Sequence, residues 1–387
     1  MHQYSQGKST TQGHKGIPEN HFEEEQGRKG FFGPVSHIIK PEPSTRWAEI
    51  EGDLRPHLYD LVKLAQNQSV AKVPGATDKI ATPYHLLRLL YNSDIEMSYW
   101  FCKPFLQMDL DYQKSAFRNA DADTLYFCHK GEGQILTEYG LLVFSKGSYI
   151  NIPKCVAHTF ICEGDSEFLV IQSKNSYYRE PDRGMLGRNG FYDLASIGKP
   201  DLKAQQDLLS KQSINILNVY IQKLQQQTRF GYTNNYYDTV GWKGDFFPFT
   251  LHIKDLMPVN SHRVHLPPPI HTTFVAQGFV VCTFLPRPLE TDKDALKVPF
   301  YHQNIDYDEV LFYHDGDFFS RDNLHAGMMT LHPAGFPHGP HPKAIQKVQN
   351  KTHTDEVAVM IDTQQPLIVD PLLTKLELAD YWKSWSR

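Results

Sequence analysis

The chain has 387 residues, with 39 Lys and Arg set against 44 Asp and Glu, and a net charge of −5. That near-balance offers no basic groove for a nucleic acid, and no run of eighteen apolar residues marks a membrane span. Twenty-three Phe, 20 Tyr, 25 Pro and 25 Gly in a chain that is 40% hydrophobic predict a mainly β architecture, with core enough for two or three domains or one duplicated pair.

Residues 1–94 read as strands, loops and short helices that pack on the rest. The N-terminal MHQYSQGKSTTQGHKG is polar and has no apolar leader segment, so an unsecreted, cytoplasmic protein is expected. Lys8 to Gly16 has no regular period and reads as mobile. Leu61 and Leu64, with Tyr59, suggest a short helix, and HLLRLLYN (85–92) is ambiguous. Residues 95–180 predict a first barrel, because EMSYWFCKPF, ADTLYFCH, GQILTEYGLLVFS, GSYINIP and EFLVIQSK are strand-like and separated by glycines. Residues 181–239 form a linker in which Ile214, Leu217, Ile221 and Leu224 have helical spacing and predict an amphipathic helix. A second barrel is expected over 240–365 and a C-terminal helix over 366–387. The five cysteines, Cys102, Cys128, Cys155, Cys162 and Cys282, include no CxxC pair and read as reduced thiols.

The chemistry is concentrated in 302–341, HQNIDYDEVLFYHDGDFFSRDNLHAGMMTLHPAGFPHGPH. Val310–Tyr313 are strand formers, and Asp315-Gly316 is a hairpin signal. Glu309 on the strand before that turn, His338 on the returning side and His302 on the approach could then share the inside of a small barrel. Two imidazoles and a carboxylate on one side of a metal suit non-haem Fe(II), because they leave positions open for substrate and O₂.

An internal repeat sharpens this reading. FRNADADTLYFCHKG (117–131) aligns with HQNIDYDEVLFYHDG (302–316) at a shift of 185, and GSYINIPKCVAH (147–158) aligns with GMMTLHPAGFPH (327–338) at a shift of 180. Asn119, Asp121, Asp123, Phe127, His129 and Gly131 meet identical residues in the second copy. The copies differ where a metal would need ligands: Phe117 stands over His302 and Thr124 over Glu309, and only His158 matches His338. The second copy is therefore the candidate metal site and the first a structural one. His314 has its mate His129 in the metal-free copy, which favours a structural role for both.

A duplicated β-barrel with a strand-borne triad resembles the cupin superfamily in its bicupin form, two jelly-roll barrels in one chain with a few helices. VGWKGDFFPFTLHIKDL (240–256), HLPPPIHTTFVAQGFVVCTFLPR (265–287), PFYHQNIDYDEVLFYHDGDF (299–318) and PHGPHP (337–342) resemble the homogentisate 1,2-dioxygenase family, strongly over 235–365 and more faintly over the first barrel. The resemblance implies Fe(2+) on His302, Glu309 and His338, with His265 as the active-site base. It implies cleavage of homogentisate by O₂ to maleylacetoacetate in tyrosine and phenylalanine catabolism, and a homo-oligomer, trimer or hexamer. Tyr301, Tyr313, Phe318, His271 and His341 are the candidate substrate-pocket residues. Two departures stand out. The family's Glu follows the His by six residues and Glu309 by seven, which leaves Asp308 as the other candidate; adjacent strand residues face opposite ways, so only one of the two can point inward. Some members carry a Tyr just after the hairpin glycine, where this chain has Phe318. The readings kept open beside homogentisate cleavage are a dioxygenase for another hydroxylated aryl acid, a cupin isomerase, and a metal-binding bicupin with a regulatory or binding role.

Overall fold

A computed structural model of the chain describes residues 4–10, 12–66, 84–224, 226–297, 299–318, 324–341, 344–345, 348 and 350–385. The chain divides into two compact units: Leu64–Met257 with Ile368–Leu372, and Met1–Lys63 with Pro258–Leu367 and Leu373–Arg387. Both are built from strands, and the expected mainly β bicupin is what the chain forms.

In the first unit a seven-stranded sheet runs in the order Phe249–His252, Ser148–Ile152, Asp123–Lys130, Ser166–Ser173, Ile95–Cys102, Leu87–Tyr91, Ile368–Val369. A six-stranded sheet runs Gln226–Gly231, Asn218–Lys223, Ser115–Asn119, Ala157–Cys162, Glu132–Thr137, Leu142–Ser145. Alternating residues of both sheets meet in one aromatic core: Trp100, Tyr126 and Phe168 from the first, Phe117, Phe144 and Phe160 from the second. His158 is buried in this core with Tyr84, Phe117, Tyr126 and Phe160 around its ring. Its Nδ1–H donates to the Val156 carbonyl at 3.3 Å, and Nε2 accepts from the Tyr126 hydroxyl at 3.0 Å. Aromatic rings thus fill the place that corresponds to the second copy's triad.

In the second unit a six-stranded sheet has the order Thr272–Ala276, Phe279–Phe284, Asp355–Thr363, Asp308–Asp317, Met328–His332, His57–Asp60. A three-stranded sheet, Tyr301–Asn304, Phe22–Gly27, Val35–Lys40, belongs to the same unit. The N-terminal segment therefore supplies three strands to the second barrel's sheets instead of packing outside them. Leu58, Tyr313, Phe318, Met328, Ala358, Tyr381 and Trp385 form an apolar cluster in this unit.

Three sequence expectations change. The helix in the linker is Leu202–Gln212, capped by Asp201, whose carboxylate accepts from the Ala204 N–H, and ended by Ser213 at φ 53°. The stripe Ile214–Leu217–Ile221–Leu224 lies beyond it: Asn218–Lys223 is a strand paired in parallel with Ser115–Asn119. Val219, Tyr220 and Ile221 are strand formers, so β propensity and an available sheet edge override a spacing that four residues met by coincidence. Asp315-Gly316 is no hairpin turn, because strand Asp308–Asp317 runs through it with a bulge between Tyr313 and Asp315. Gly316 sits at φ 96°, and a Cβ there would come within 1.6 Å of the Asp355 carbonyl oxygen. The C-terminal stretch holds a four-residue helix, Pro371–Thr374, and a 3₁₀ turn, Tyr381–Trp385, instead of one longer helix.

Burial pushes the His158 imidazole down to about 4 from 6.5, against the Val156 hydrogen bond that raises it. Between those two pH values the unfolded chain binds a proton that the folded chain refuses, so stability falls as pH drops through that window. His158→Phe removes this term. Its stability should fall less than wild type between pH 6.5 and pH 4, by about 3 kcal/mol in urea unfolding. Equal losses in the two proteins would mean that His158 takes up its proton without unfolding.

Candidate metal centre

His302 and His338 are held together by their backbones. Each N–H donates to the other's carbonyl at 2.9 Å, and the two ring centroids lie 4.0 Å apart. Each ring also donates its Nδ1–H to a carbonyl two residues earlier, His302 to Phe300 at 3.2 Å and His338 to Phe336 at 3.0 Å. That fixes the tautomer and leaves the Nε2 lone pairs facing Glu309 Oε2, at 3.3 Å from His302 and 3.5 Å from His338. Lone pairs of two imidazoles and a carboxylate converge, and only a proton or a cation between them makes that favourable. The His338 Nε2 is buried and has no hydrogen-bond partner. The three ligand atoms lie within 4.8 Å of one another, and Glu309 and His338 are buried. A divalent cation fits this donor set.

Glu309 is placed by strand alternation within Asp308–Asp317. Its other oxygen, Oε1, accepts from His332 Nδ1 at 2.8 Å across the register pair Glu309–His332. Burial alone would raise its pKa. The surrounding imidazoles of His338, His302 and His332 outweigh that and hold Glu309 well below the usual range. On the neighbouring strand Asp362 lies opposite Glu309. Burial, followed by the Glu309 charge, raises its carboxyl well above the usual range. Sequence reasoning missed His332 and Asp362. The repeat contained the signal for His332, because Ile152 occupies the matching place in the copy without a triad.

Asp308 faces the other way. Its Oδ1 accepts from the Ala334 N–H at 2.8 Å and its Oδ2 from the Leu367 N–H at 2.7 Å. The repeat mate Asp123 accepts from the Lys154 N–H at 2.9 Å in the same manner. A role shared by both copies is a structural one.

His265 lies in the Pro-rich loop before the 3₁₀ turn Pro268–His271 and is buried. Its Nδ1 bonds Glu290 Oε1 at 3.0 Å, and its ring packs on Phe300 at 5.0 Å. Phe300 in turn packs on His302 at 4.9 Å, so one phenyl ring touches both the base candidate and the triad. Burial lowers His265 to about 4 despite the Glu290 hydrogen bond, so the ring is neutral near pH 7. The buried His271 packs on Phe284 at 5.2 Å, and His341 lies 6.3 Å from Trp385. Tyr301 packs against Phe22 at 5.9 Å, and its Cα lies 2.8 Å from where a Gly339 Cβ would be. Tyr313 and Phe318 lie against each other at 5.0 Å in the apolar cluster with Met328 and Trp385. Tyr313 is on the same face of its strand as Glu309 but four residues along, about 13 Å away.

Two barrels, one carrying a largely buried two-histidine, one-carboxylate constellation that could hold a metal ion, define a bicupin. Residues 84–253 match the family model described as "Homogentisate 1,2-dioxygenase N-terminal", which covers the barrel where the quoted motifs are fainter. A Saccharolobus solfataricus protein named "Putative dioxygenase" is 31% identical over 94% of this chain and 92% of its own. The chain belongs to the homogentisate 1,2-dioxygenase family. The homogentisate 1,2-dioxygenase of Caenorhabditis elegans is 25% identical over 62% of this chain and 55% of its own, and that of Homo sapiens 22% identical over 81% and 69%. Among solved structures, a salicylate 1,2-dioxygenase from Pseudaminobacter salicylatoxidans aligns over 81% of this chain and 85% of its own at 9% identity with a TM-score of 0.35, a likeness too slight to bear on chemistry. No helix among the described residues is long and apolar enough to cross a membrane.

The two adjacent acids should separate on mutation. Glu309→Gln should fold but lose the equivalent of divalent metal held by His302, Glu309 and His338, measured by elemental analysis. Asp308→Ala should retain uptake and lose about 3 kcal/mol of stability, because two backbone N–H groups lose a charged acceptor. Metal loss in the Asp308 variant with full uptake in the Glu309 variant would reverse the assignment.

Proposed function

We propose that this chain is an Fe(II)-dependent ring-cleaving dioxygenase that converts homogentisate and O₂ to maleylacetoacetate, with both oxygen atoms entering the product. The observation that carries the reading is the pair of Nδ1-locked imidazoles facing one carboxylate, in the one copy of the repeat that has all three groups. His302, Glu309 and His338 would hold the iron. Bound there, iron supplies the electron transfer between a ring phenolate and O₂ that cleavage requires, and the facial donor set leaves positions open for both. The names of the curated relatives support the substrate.

The protein's own groups do the rest. His265 is neutral, and Glu290 takes its Nδ1–H, so Nε2 is the atom that accepts the ring hydroxyl's proton. Glu290 then stabilises the imidazolium formed. Phe300 gives a dry wall beside that proton transfer. His332 holds Glu309 in one orientation through its second oxygen. His271 and His341 remain proposed pocket residues. Tyr301, Tyr313 and Phe318 support the pocket through packing. The setting proposed is a cytoplasmic homo-oligomer in tyrosine and phenylalanine catabolism. One observation favours a second reading, a different hydroxylated aryl acid: Phe318 brings no hydroxyl and is buried against Tyr313.

Fe(II)-reconstituted protein should take up one O₂ per homogentisate, while metal-free protein takes up none. His265→Asn should keep its iron and lose turnover by about 10²–10⁴-fold. Bound iron with no uptake on homogentisate, but uptake on another dihydroxyphenyl acid, would replace the substrate and keep the reaction class.

A further inference from the structure

A second constellation of the same donor types lies outside the triad. Lys8 to Gly16, expected to be mobile, instead buries His14 among Glu23, Glu25 and His37. Glu23 and Glu25 share one face of strand Phe22–Gly27, and His37 comes from the antiparallel partner strand Val35–Lys40. His14 Nε2 bonds Glu25 Oε2 at 2.7 Å. When the Nε2–H donates there, the Nδ1 lone pair is left facing Glu23 Oε1, 3.0 Å away. His37 Nδ1 faces the same oxygen at 3.2 Å. Neither contact has hydrogen-bond geometry: His14 Nδ1, His37 Nδ1 and Glu23 Oε2 are buried atoms without a hydrogen-bond partner. Separations of about 3 Å between converging donors, with no hydrogen directed between them, are what ligands about 2.1 Å from a common ion leave behind.

We propose that His14, Glu23 and His37 bind a second divalent transition-metal ion, with Glu25 orienting His14 from behind.

Charge supports an ion of that valence. Glu23 and Glu25 are both buried, and two buried carboxylates need two compensating charges. The donor set, two imidazoles and a carboxylate, is of the class that takes Zn(II), Fe(II), Mn(II) or Co(II). The backbone is shaped to fit. His14 adopts φ 62°, uncommon for a residue with a side chain, and its carbonyl accepts from the Leu296 N–H at 2.8 Å. Gly13 leaves room for the other ligand, because a Cβ there would lie 2.8 Å from the His37 ring. The competing occupant is a proton: burial would lower His14, and Glu23 and Glu25 outweigh it and raise the imidazole to about 9.

The site adjoins the base of the proposed reaction. The His14 ring meets His265 edge-on at 5.6 Å and Phe300 at 4.5 Å, and Glu25 pairs in register with His302. An ion at this position would clamp the N-terminal segment against the wall that holds His265. The inference does not rest on the iron reading, and its test separates the two.

Metal-stripped full-length protein is titrated with Co(II), read by absorbance and by elemental analysis after desalting. Wild type should retain two equivalents, and Glu309→Gln and His37→Gln one each. Zn(II) should raise the melting temperature of Glu309→Gln, and adding Glu23→Gln to that variant should abolish the rise. His37 is partly exposed, so its replacement disturbs the fold less than one at His14 would. One equivalent in wild type that Glu309→Gln removes and His37→Gln leaves in place would overturn the second site and spare the first. One equivalent that His37→Gln removes and Glu309→Gln leaves would uphold the second site and sink the triad. Two equivalents untouched by His37→Gln would also overturn the proposal.

Discussion

The centre of the second unit depends on a pair of backbone hydrogen bonds. His302 and His338 each donate to the other's carbonyl, so their side chains emerge from one point with little freedom left. The cost of bringing two imidazoles together is met by main-chain pairing and not by the site itself. The local carbonyls of Phe300 and Phe336 then choose the tautomer. Only after those four bonds are made does Glu309, from a different sheet, meet two lone pairs. This order explains why the donor set is rigid before any ligand arrives, a requirement for a centre that must orient its ligands rather than collect them.

The first unit repeats the same scaffold. His158 pairs in register with Phe117 as His338 pairs with His302, and it donates to the carbonyl two residues earlier. Asn119 accepts from the Cys155 N–H at 2.8 Å as Asn304 accepts from the Gly335 N–H at 2.8 Å. Gly147 donates to the Cys128 carbonyl as Gly327 donates to that of Tyr313. What differs is the filling. Phe117 and Thr124 replace a ligand each, and Tyr126 satisfies the nitrogen that would otherwise face a metal. A hydroxyl there removes the lone-pair conflict that makes the second copy a candidate site for a cation.

That comparison is why so much was legible without coordinates. Two copies of one unit act as each other's control, and the positions that differ between them are the chemical ones. The same logic separates Asp308 from Glu309, since Asp123 does the work of Asp308 in the other copy. Where the structure departs from the sequence expectation, the causes differ from case to case. Ile214 to Leu224 has no mate, and its helical spacing competed with β-branched residues that had a sheet edge to join. The Asp-Gly pair signals a turn because dipeptide signals are local, whereas the conformation at Gly316 is imposed by the close approach of the Asp355 backbone. His332 lies outside the three-donor pattern, and its place shows only through the second oxygen of Glu309, which it holds.

The N-terminal strand poses the hardest case for sequence reasoning, and the physics explains why. FEEEQG, with three consecutive carboxylates, reads as a solvated charged run, yet Glu23, Glu24 and Glu25 are all buried. Alternation divides them between two faces. Glu24 points to one side, where Lys40 Nζ lies 2.9 Å away and the Ser44 backbone and hydroxyl donate to it. Glu23 and Glu25 point to the other, where the available partners are two histidines drawn from different segments. A lysine carries its charge unconditionally at neutral pH, whereas an imidazole carries one only if a proton or a metal supplies it. The face with the lysine is therefore complete as it stands, and the face with the histidines is conditional on what it binds. Because that conditional face lies one strand from His302 and touches His265, its occupancy and the behaviour of the candidate base are tied through the same few side chains.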